Sequence, residues 1–462
     1  MHSVREVLES RNLAVIGASR DPMKPGAMLL QVLKDTGFKG QVAGVNPQGG
    51  EVHGVPLYQS LDEIPFSVDL AVLLIPAKAV PATLAKCAQN GVKGVVISSE
   101  GFAETGTQGR QYQEEVSTIL QSTGMRGFGP NTMGLVNTAT GLTTSYFANE
   151  DMLKPGSIGF AAQSGIFIGA LLRYLSSFEG LRISKGLGLG NKADVDESDA
   201  LDYLTDDEQT RIVGMYLEDI RDGRRFLETA RRAVPYKPVL LLKGGRTPAG
   251  ARASTSHTAS LAVDDVVLDG ALRQAGVLRV RNIEELIGTL IGFQSMPLPR
   301  GERLAFVTYS GAQAIMSIDA ATDEGLGLAR FSKQTQERLA KVIATPSKAH
   351  NPVDIFPDMM THGFEKTSTE TLRALLEDDG VHGIIFISFA LFGADIYSPL
   401  VEVIKEGLTK PVFFSLLGAK EDVGACRAFL ETHRIPFYPF PEMAIRVFSH
   451  MRQYAITAGR FK

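Results

Sequence analysis

Short aliphatic and β-branched runs recur from one end of this chain to the other, and each is followed by a longer segment of helical period. The runs are LAVIG at 13, QVAGV at 41, LAVLLI at 70, GVVIS at 94, SIGFAA at 157, RIVGMYL at 211, PVLLLK at 238, RLAFVT at 303, GIIFIS at 383 and PVFFSL at 411. Parallel strands need a crossover long enough to hold a helix, and their sheets are covered on both faces, so such strands read as continuous apolar runs. The alternation predicts α/β layers throughout. At 462 residues the chain exceeds what one hydrophobic core supports. Two polar, proline-bearing breaks, NEDMLKPG at 149–156 and QSMPLPRGER at 294–303, divide it into parts spanning 1–145, 153–295 and 300–462.

The second and third parts follow one plan. IGFAAQSGIFIGALL from Ile158 and LAFVTYSGAQAIMSI from Leu304 share a buried strand, a Ser-Gly turn and an apolar helix. Further on, KPVLLLKGGR matches KPVFFSLLGA, and AGVLRVRNIEELIGTL matches HRIPFYPFPEMAIRVF. The spacing between copies varies, which fits a duplicated or shared architecture rather than a solenoid.

The net charge of −4 argues against a general nucleic-acid binder. Cys87 and Cys426 lie far apart with no CxxC, so neither a disulfide framework nor a zinc knuckle is indicated. No basic, apolar leader opens the sequence, and no apolar run has membrane-spanning length, since Gln163, Ser164 and Gly165 interrupt the best candidate. The expectation is a reduced, cytoplasmic protein without membrane contact. His53, His350 and His362 fall in loops and lack metal-ligand spacing, so no metal site is expected.

In the first part, VIGASRDPMKPG leads from a strand into the helix GAMLLQVLKD, which places backbone N–H groups and a helix start where a phosphate can sit. GxGxxG is absent, and the second strand ends at Asn46 and Pro47 instead of an acidic residue for a ribose 2′-hydroxyl, so the pattern argues against NAD. A Rossmann-like domain remains, holding a phosphate-bearing ligand through Gly17, Ala18, Ser19 and Arg20, with Gly26 at the helix start. The strand ends IPAKAV, with Ile75 and Pro76, and SSEGFAETG, with Ser99 and Glu100, would line its crevice. On their own, these glycines equally suit ordinary turns.

After LLLKGGR the second part inserts about twenty residues, TPAGARASTSHTASLAVDD, where such connections usually take ~2 to 6. It holds His257 among small residues, which suits a loop that approaches something closely.

Taken in order, VIGAS, VNP, IPA, SEGFAE, GPNTMG, AQSGIF, GNKADVDESD, YLED, LKGGR, SHTASLA, QAGVLRV and NPVDIF make the chain resemble the alpha subunits of NDP-forming acyl-CoA synthetases. These are the ADP-forming acetyl-CoA synthetases, themselves similar to the succinyl-CoA synthetase alpha subunit. The resemblance covers nearly the whole chain. It implies a Rossmann-like CoA-binding domain followed by two flavodoxin-like domains, with CoA or acyl-CoA at the first-part residues named above together with Asn131. It also implies that His257 attacks an acyl phosphate and passes the phosphoryl group to a nucleoside diphosphate, with Glu218 holding the imidazole in the useful tautomer and Asp219 as the rival. A neutral imidazole is a competent nucleophile near pH 7.

The phosphate pocket implied by the same resemblance comprises Gln163, Ser164, Gly165 and Ile166 at a helix start, and Gly190, Asn191 and Ala193 in the turn after it. The family's histidine is usually followed by Thr-Gly, whereas this chain has Thr258 and Ala259. The ATP-grasp domain that family activity requires is not among these residues, so the resemblance implies a beta subunit in trans that binds Mg-ADP or Mg-ATP, in an α2β2 heterotetramer. Two other readings use the same scaffold: a nucleotide-free acyl or carbamoyl transferase, and a CoA- or acyl-CoA-sensing module. Neither the acid nor the nucleotide base is legible.

Overall fold

The computed structural model describes residues 2–178, 181–252, 264–344, 349–390 and 393–460. His257, Thr258 and Ala259 lie outside them. The described residues fall into two compact units, one ending at Arg281 and the other beginning at Asn282.

The first unit holds two sheets. In the first, β1 (Asn12–Ile16), β2 (Gln41–Val45), β3 (Gly50–Val52), β4 (Val55–Tyr58), β5 (Leu70–Leu73), β6 (Gly94–Ile97) and β7 (Arg126–Phe128) take the order β3-β4-β2-β1-β5-β6-β7. All pairs are parallel except β3 with β4. Without β3 this is the Rossmann order, and the chain reverses direction across the sheet between β1 and β5, where ligands of such sheets bind. Ala14, Leu73, Val95, Leu84 and Val116 build the core between strands and helices.

The second sheet joins β8 (Leu135–Asn137), β9 (Leu142–Thr143), β10 (Ile158–Ala162), β11 (Ile183–Gly188), β12 (Ile212–Leu217), β13 (Val239–Lys243) and β14 (Leu278–Val280) in the order β14-β13-β12-β10-β11-β8-β9. Strands β10 to β14 are parallel in the flavodoxin order, and the β8–β9 hairpin adds an antiparallel edge. That hairpin precedes the NEDMLKPG break yet extends the second sheet. Strand β11 lacks the continuous apolar run of its neighbours, because two of the six residues in ISKGLG are glycine and two are polar; its glycines are needed for close approach, since a Cβ on Gly186 would meet Leu172 at 2.8 Å and one on Gly188 would meet Thr132 Oγ1 at 2.2 Å.

In the second unit, β15 (Arg303–Thr308), β16 (Gly327–Leu328), β17 (Val353–Asp354), β18 (Gly383–Phe389) and β19 (Val412–Leu417) form a parallel sheet of order β16-β15-β18-β19, with β17 on the end of β15. Successive residues alternate between its two cores: Ala305, Val307, Ile384 and Phe386 on one side, Leu304, Phe306, Ile385 and Ile387 on the other. The helix Ile283–Ser295 belongs to this unit, where the Tyr438 hydroxyl donates to Gly288 O at 2.9 Å. No helix among the described residues is long and apolar enough to cross a membrane.

Candidate active site

The crevice of the first sheet is shaped by glycine. Gly17 follows β1 with a φ of +95°, and a Cβ there would lie 2.3 Å from Leu74 O at the end of β5. A Cβ on Gly26, in the first turn of the helix Pro25–Asp35, would lie 2.3 Å from Gly17 O. Strand end, turn and helix start therefore meet backbone to backbone, the packing that lets a phosphate approach N–H groups. Asn46 donates its side-chain amide to Ala18 O at 2.7 Å and accepts the N–H of Gln48 at 2.8 Å, so it shapes the loop beside Pro47. Arg20 reaches across to Gly49 O at 2.6 Å. On the other wall, the Ser99 hydroxyl donates to Ile75 O, and Asn131, at a φ of +59°, donates its N–H to Ser99 O at 2.9 Å. Glu100 and Pro76 are exposed at the rim. Gly17, Ala18, Ser19, Arg20, Asn46, Ile75, Ser99 and Asn131 thus follow the ends of β1, β2, β5, β6 and β7 along one edge of the sheet.

The second sheet brings its candidates to the gap between β10 and β12, where its own order reverses. Gln163, buried directly after β10, accepts the N–H groups of Glu218 at 2.8 Å and Asp219 at 3.1 Å and donates to Asp219 Oδ1 at 2.5 Å. One amide thereby clamps the end of β12. Beyond it the chain turns helical at Gly165, with a π-helical turn over Phe167–Leu171. The Phe167 N–H bonds back to Ser164 O at 3.2 Å, so Ser164, Gly165 and Ile166 stand in the part of a helix that lacks intrahelical acceptors. Ile166 is 64% exposed, which leaves this turn open to an incoming group. Such a helix start offers an anion about half a positive charge.

Glu218 accepts the Tyr216 hydroxyl at 3.3 Å, and its carbonyl accepts from Lys243 Nζ at 2.6 Å. Burial, followed by the Glu218 charge, pushes the Tyr216 hydroxyl well above its ordinary range. Burial lowers the Lys243 amine, against the pull of Asp219, Asp265 and Glu218. Leu217 and Lys243 are neighbours in the β12–β13 register, so Glu218 sits beside the strand from which the His257 segment departs. Asp219, its rival, is committed to Gln163 and to Lys192 Nζ at 2.6 Å.

The turn after β11 is placed differently from a simple anion cradle. The N–H groups of Asn191 and Ala193 bond to Pro130 O at 2.9 Å and Gly129 O at 2.8 Å, and a Cβ on Gly190 would lie 2.1 Å from Pro130 O. The Asn191 side chain donates to Glu104 at 2.6 Å and Gln113 at 3.0 Å. These residues brace the second sheet against the crevice of the first. Lys192, Glu197 and Glu104 escaped the sequence reading as site residues; a lysine at positive φ has no periodicity to betray it, although the motifs GNKADVDESD and SEGFAE contain all of them. No group of His, Cys, Asp and Glu among the described residues is arranged to hold a metal ion.

Three protein-family models match the chain: a CoA binding domain over residues 11–138, a succinyl-CoA ligase like flavodoxin domain over 155–291 and a ligase-CoA domain over 304–462. The chain is 39% identical to an ADP-forming acetate–CoA ligase II of Archaeoglobus fulgidus, over 98% of its own length and 67% of that protein's. It is 36% identical to the alpha subunit of the ADP-forming acetate–CoA ligase II of Pyrococcus furiosus, over 94% and 93%. Its fold matches an acetyl-coenzyme A synthetase of Candidatus Korarchaeum cryptofilum solved with phosphate and ADP, at a TM-score of 0.91 and 31% identity, covering 99% and 98% of the two chains. Its Rossmann-like and flavodoxin-like sheets, its ordered motifs and these relatives together establish that the chain belongs to the ADP-forming acetate–CoA ligase family.

Proposed function

We propose that this chain is the alpha subunit of an ADP-forming acyl-CoA synthetase, which reversibly converts acyl-CoA, phosphate and ADP into a carboxylic acid, CoA and ATP. The observation that carries this reading is the meeting, at one sheet reversal, of an open helix start at Ser164–Ile166 with the end of β12 that bears Glu218, beside the strand leading to His257. Acyl-CoA occupies the crevice around Gly17–Arg20, Gly26, Asn46, Ile75 and Ser99. Phosphate displaces CoA to give an acyl phosphate, and the His257 imidazole takes the phosphoryl group while the carboxylic acid leaves. Glu218 orients that imidazole, as a carboxylate does in other His pairs. Ser164, Gly165 and Ile166 offer main-chain donors to the phosphoryl oxygens.

Transfer to ADP needs a nucleotide site, which we assign to an ATP-grasp beta subunit in an α2β2 assembly. A cytoplasmic setting suits Cys87 and Cys426, both buried free thiols. The test is ATP formation by the chain co-purified with its beta subunit, given acetyl-CoA, phosphate and Mg-ADP. ATP equimolar with released CoA supports the reading. Acyl transfer that proceeds fully without ADP favours the nucleotide-free transferase instead.

A further inference from the structure

We propose that Lys192 is a positioning residue for phosphoryl transfer: its buried ammonium ties Asp219 to Glu197 and so fixes the strand end that carries Glu218. The role rests on the function proposed above and deepens it. Lys192 is 1% exposed and holds a φ of +58°, a backbone conformation that residues other than glycine rarely adopt. Its ammonium donates to Glu197 Oε2 at 2.9 Å, Asp219 Oδ1 at 2.6 Å and Asp219 O at 3.2 Å, which uses all three of its hydrogens. Glu197 is fully buried, and its other oxygen accepts the Arg221 N–H at 2.7 Å.

The end of β12 is consequently held from two sides. Gln163 takes the N–H groups of Glu218 and Asp219, while Lys192 takes the carbonyl and carboxylate of Asp219. The charged groups that meet Lys192 are Glu197 at the start of the helix Glu197–Asp206, Asp219 at the end of β12, and Arg221, whose guanidinium donates to Lys192 O. A buried ion cluster is a poor source of stability, because desolvation offsets its attraction. What it supplies is a fixed geometry. Without the cation, the buried Glu197 carboxylate and the partly buried Asp219 carboxylate lose their shared counter-ion, and either one takes up a proton or the strand end moves.

The test uses the full chain co-purified with its beta subunit, comparing Lys192→Met and Lys192→Met/Asp219→Asn with the parent. Two quantities are read: the rate of phosphoryl uptake at His257 as a function of pH, and hydrogen exchange at the Glu218 and Asp219 amides. Lys192→Met should label about 100-fold more slowly, the cost of a roughly 1 Å misplacement, with CoA affinity within about threefold of the parent. Its rate relative to the parent's at the same pH should recover as pH falls, because a proton replaces the missing cation, and the double variant should lack that recovery. The two amides should exchange faster. A folded Lys192→Met protein with the parental rate, pH profile and exchange overturns the proposal. If that variant does not fold, Lys192→Arg keeps the charge but not the three contacts: slowed labelling with a parental pH profile supports the role, and an unchanged rate overturns it. Absence of label on the parent overturns the phosphohistidine reading and the role in transfer with it, and amide exchange then decides only whether Lys192 fixes the end of β12.

Discussion

The side-chain amide of Asn191 meets the Glu104 carboxylate at 2.6 Å, joining the turn after β11 to the SEGFAE segment beside the first crevice. Glu104 also accepts the N–H groups of Gly101 at 2.7 Å and Phe102 at 2.9 Å. Burial pushes its carboxyl up, but the Phe102 and Gly101 N–H groups and the Asn191 amide outweigh burial and hold it below the usual carboxylate range. Because the folded value is lowered, this stabilisation is complete above the unfolded pKa of about 4.3 and is lost as pH falls through the folded value. Glu104→Gln should therefore lose about 1 to 2 kcal/mol near neutral pH, with the difference vanishing in acid. Urea unfolding of both proteins across that pH range checks it.

Gly17→Ala places a methyl where φ is +95° and where Leu74 O stands 2.3 Å away. The strain should cost about 1 to 3 kcal/mol. Since the loop must move to relieve it, CoA affinity should fall at least tenfold, which titration calorimetry measures directly.

The duplicated KPV motif has a structural cause. Lys237 donates to Leu204 O at 2.8 Å and Asp207 O at 2.7 Å, at the end of the helix Glu197–Asp206. Lys410 donates to Leu375 O at 3.2 Å and Asp378 O at 2.7 Å, the same two positions relative to the end of the helix Phe364–Glu377. Each lysine satisfies carbonyls that a helix end leaves open. Lys237→Met and Lys410→Met should each cost about 1.5 to 3 kcal/mol. Hydrogen exchange should quicken in the preceding helix of the same unit only.

The layers and the repeat were legible because buried strands, Ser-Gly turns and KPV segments are local signals. Strand β11 was not, because glycine is a poor strand former and its reason for being there is contact with Thr132 and Leu172 from distant sequence. The site was legible in part. The residues around Gly17 lie at one sheet reversal and those following β10 and β12 at another, since strand ends on either side of a reversal are neighbours by topology. The N–H groups of Asn191 and Ala193 instead face Pro130 and Gly129. That partnership depends on the first and second sheets meeting, which no spacing in the sequence encodes.

His382 accepts the Arg303 N–H at 3.1 Å, and burial, Arg303 and Lys410 lower its pKa below the usual value. The unfolded chain then binds the proton first, so the second unit should lose stability as pH falls from about 6.5 toward the folded value. His382→Asn, which keeps an acceptor but cannot titrate, should flatten that slope. Unfolding midpoints of the second unit between neutral and mildly acidic pH measure the difference.

Phosphoryl transfer through His257 is tested most directly by one labelling experiment. The chain is incubated with its beta subunit, Mg²⁺ and γ-labelled ATP, beside His257→Ala and Glu218→Gln. The account predicts acid-labile, base-stable label on this polypeptide, abolished by His257→Ala and slowed about 100-fold or more by Glu218→Gln. Label that persists in His257→Ala, or a folded and assembled pair that takes up none, contradicts it.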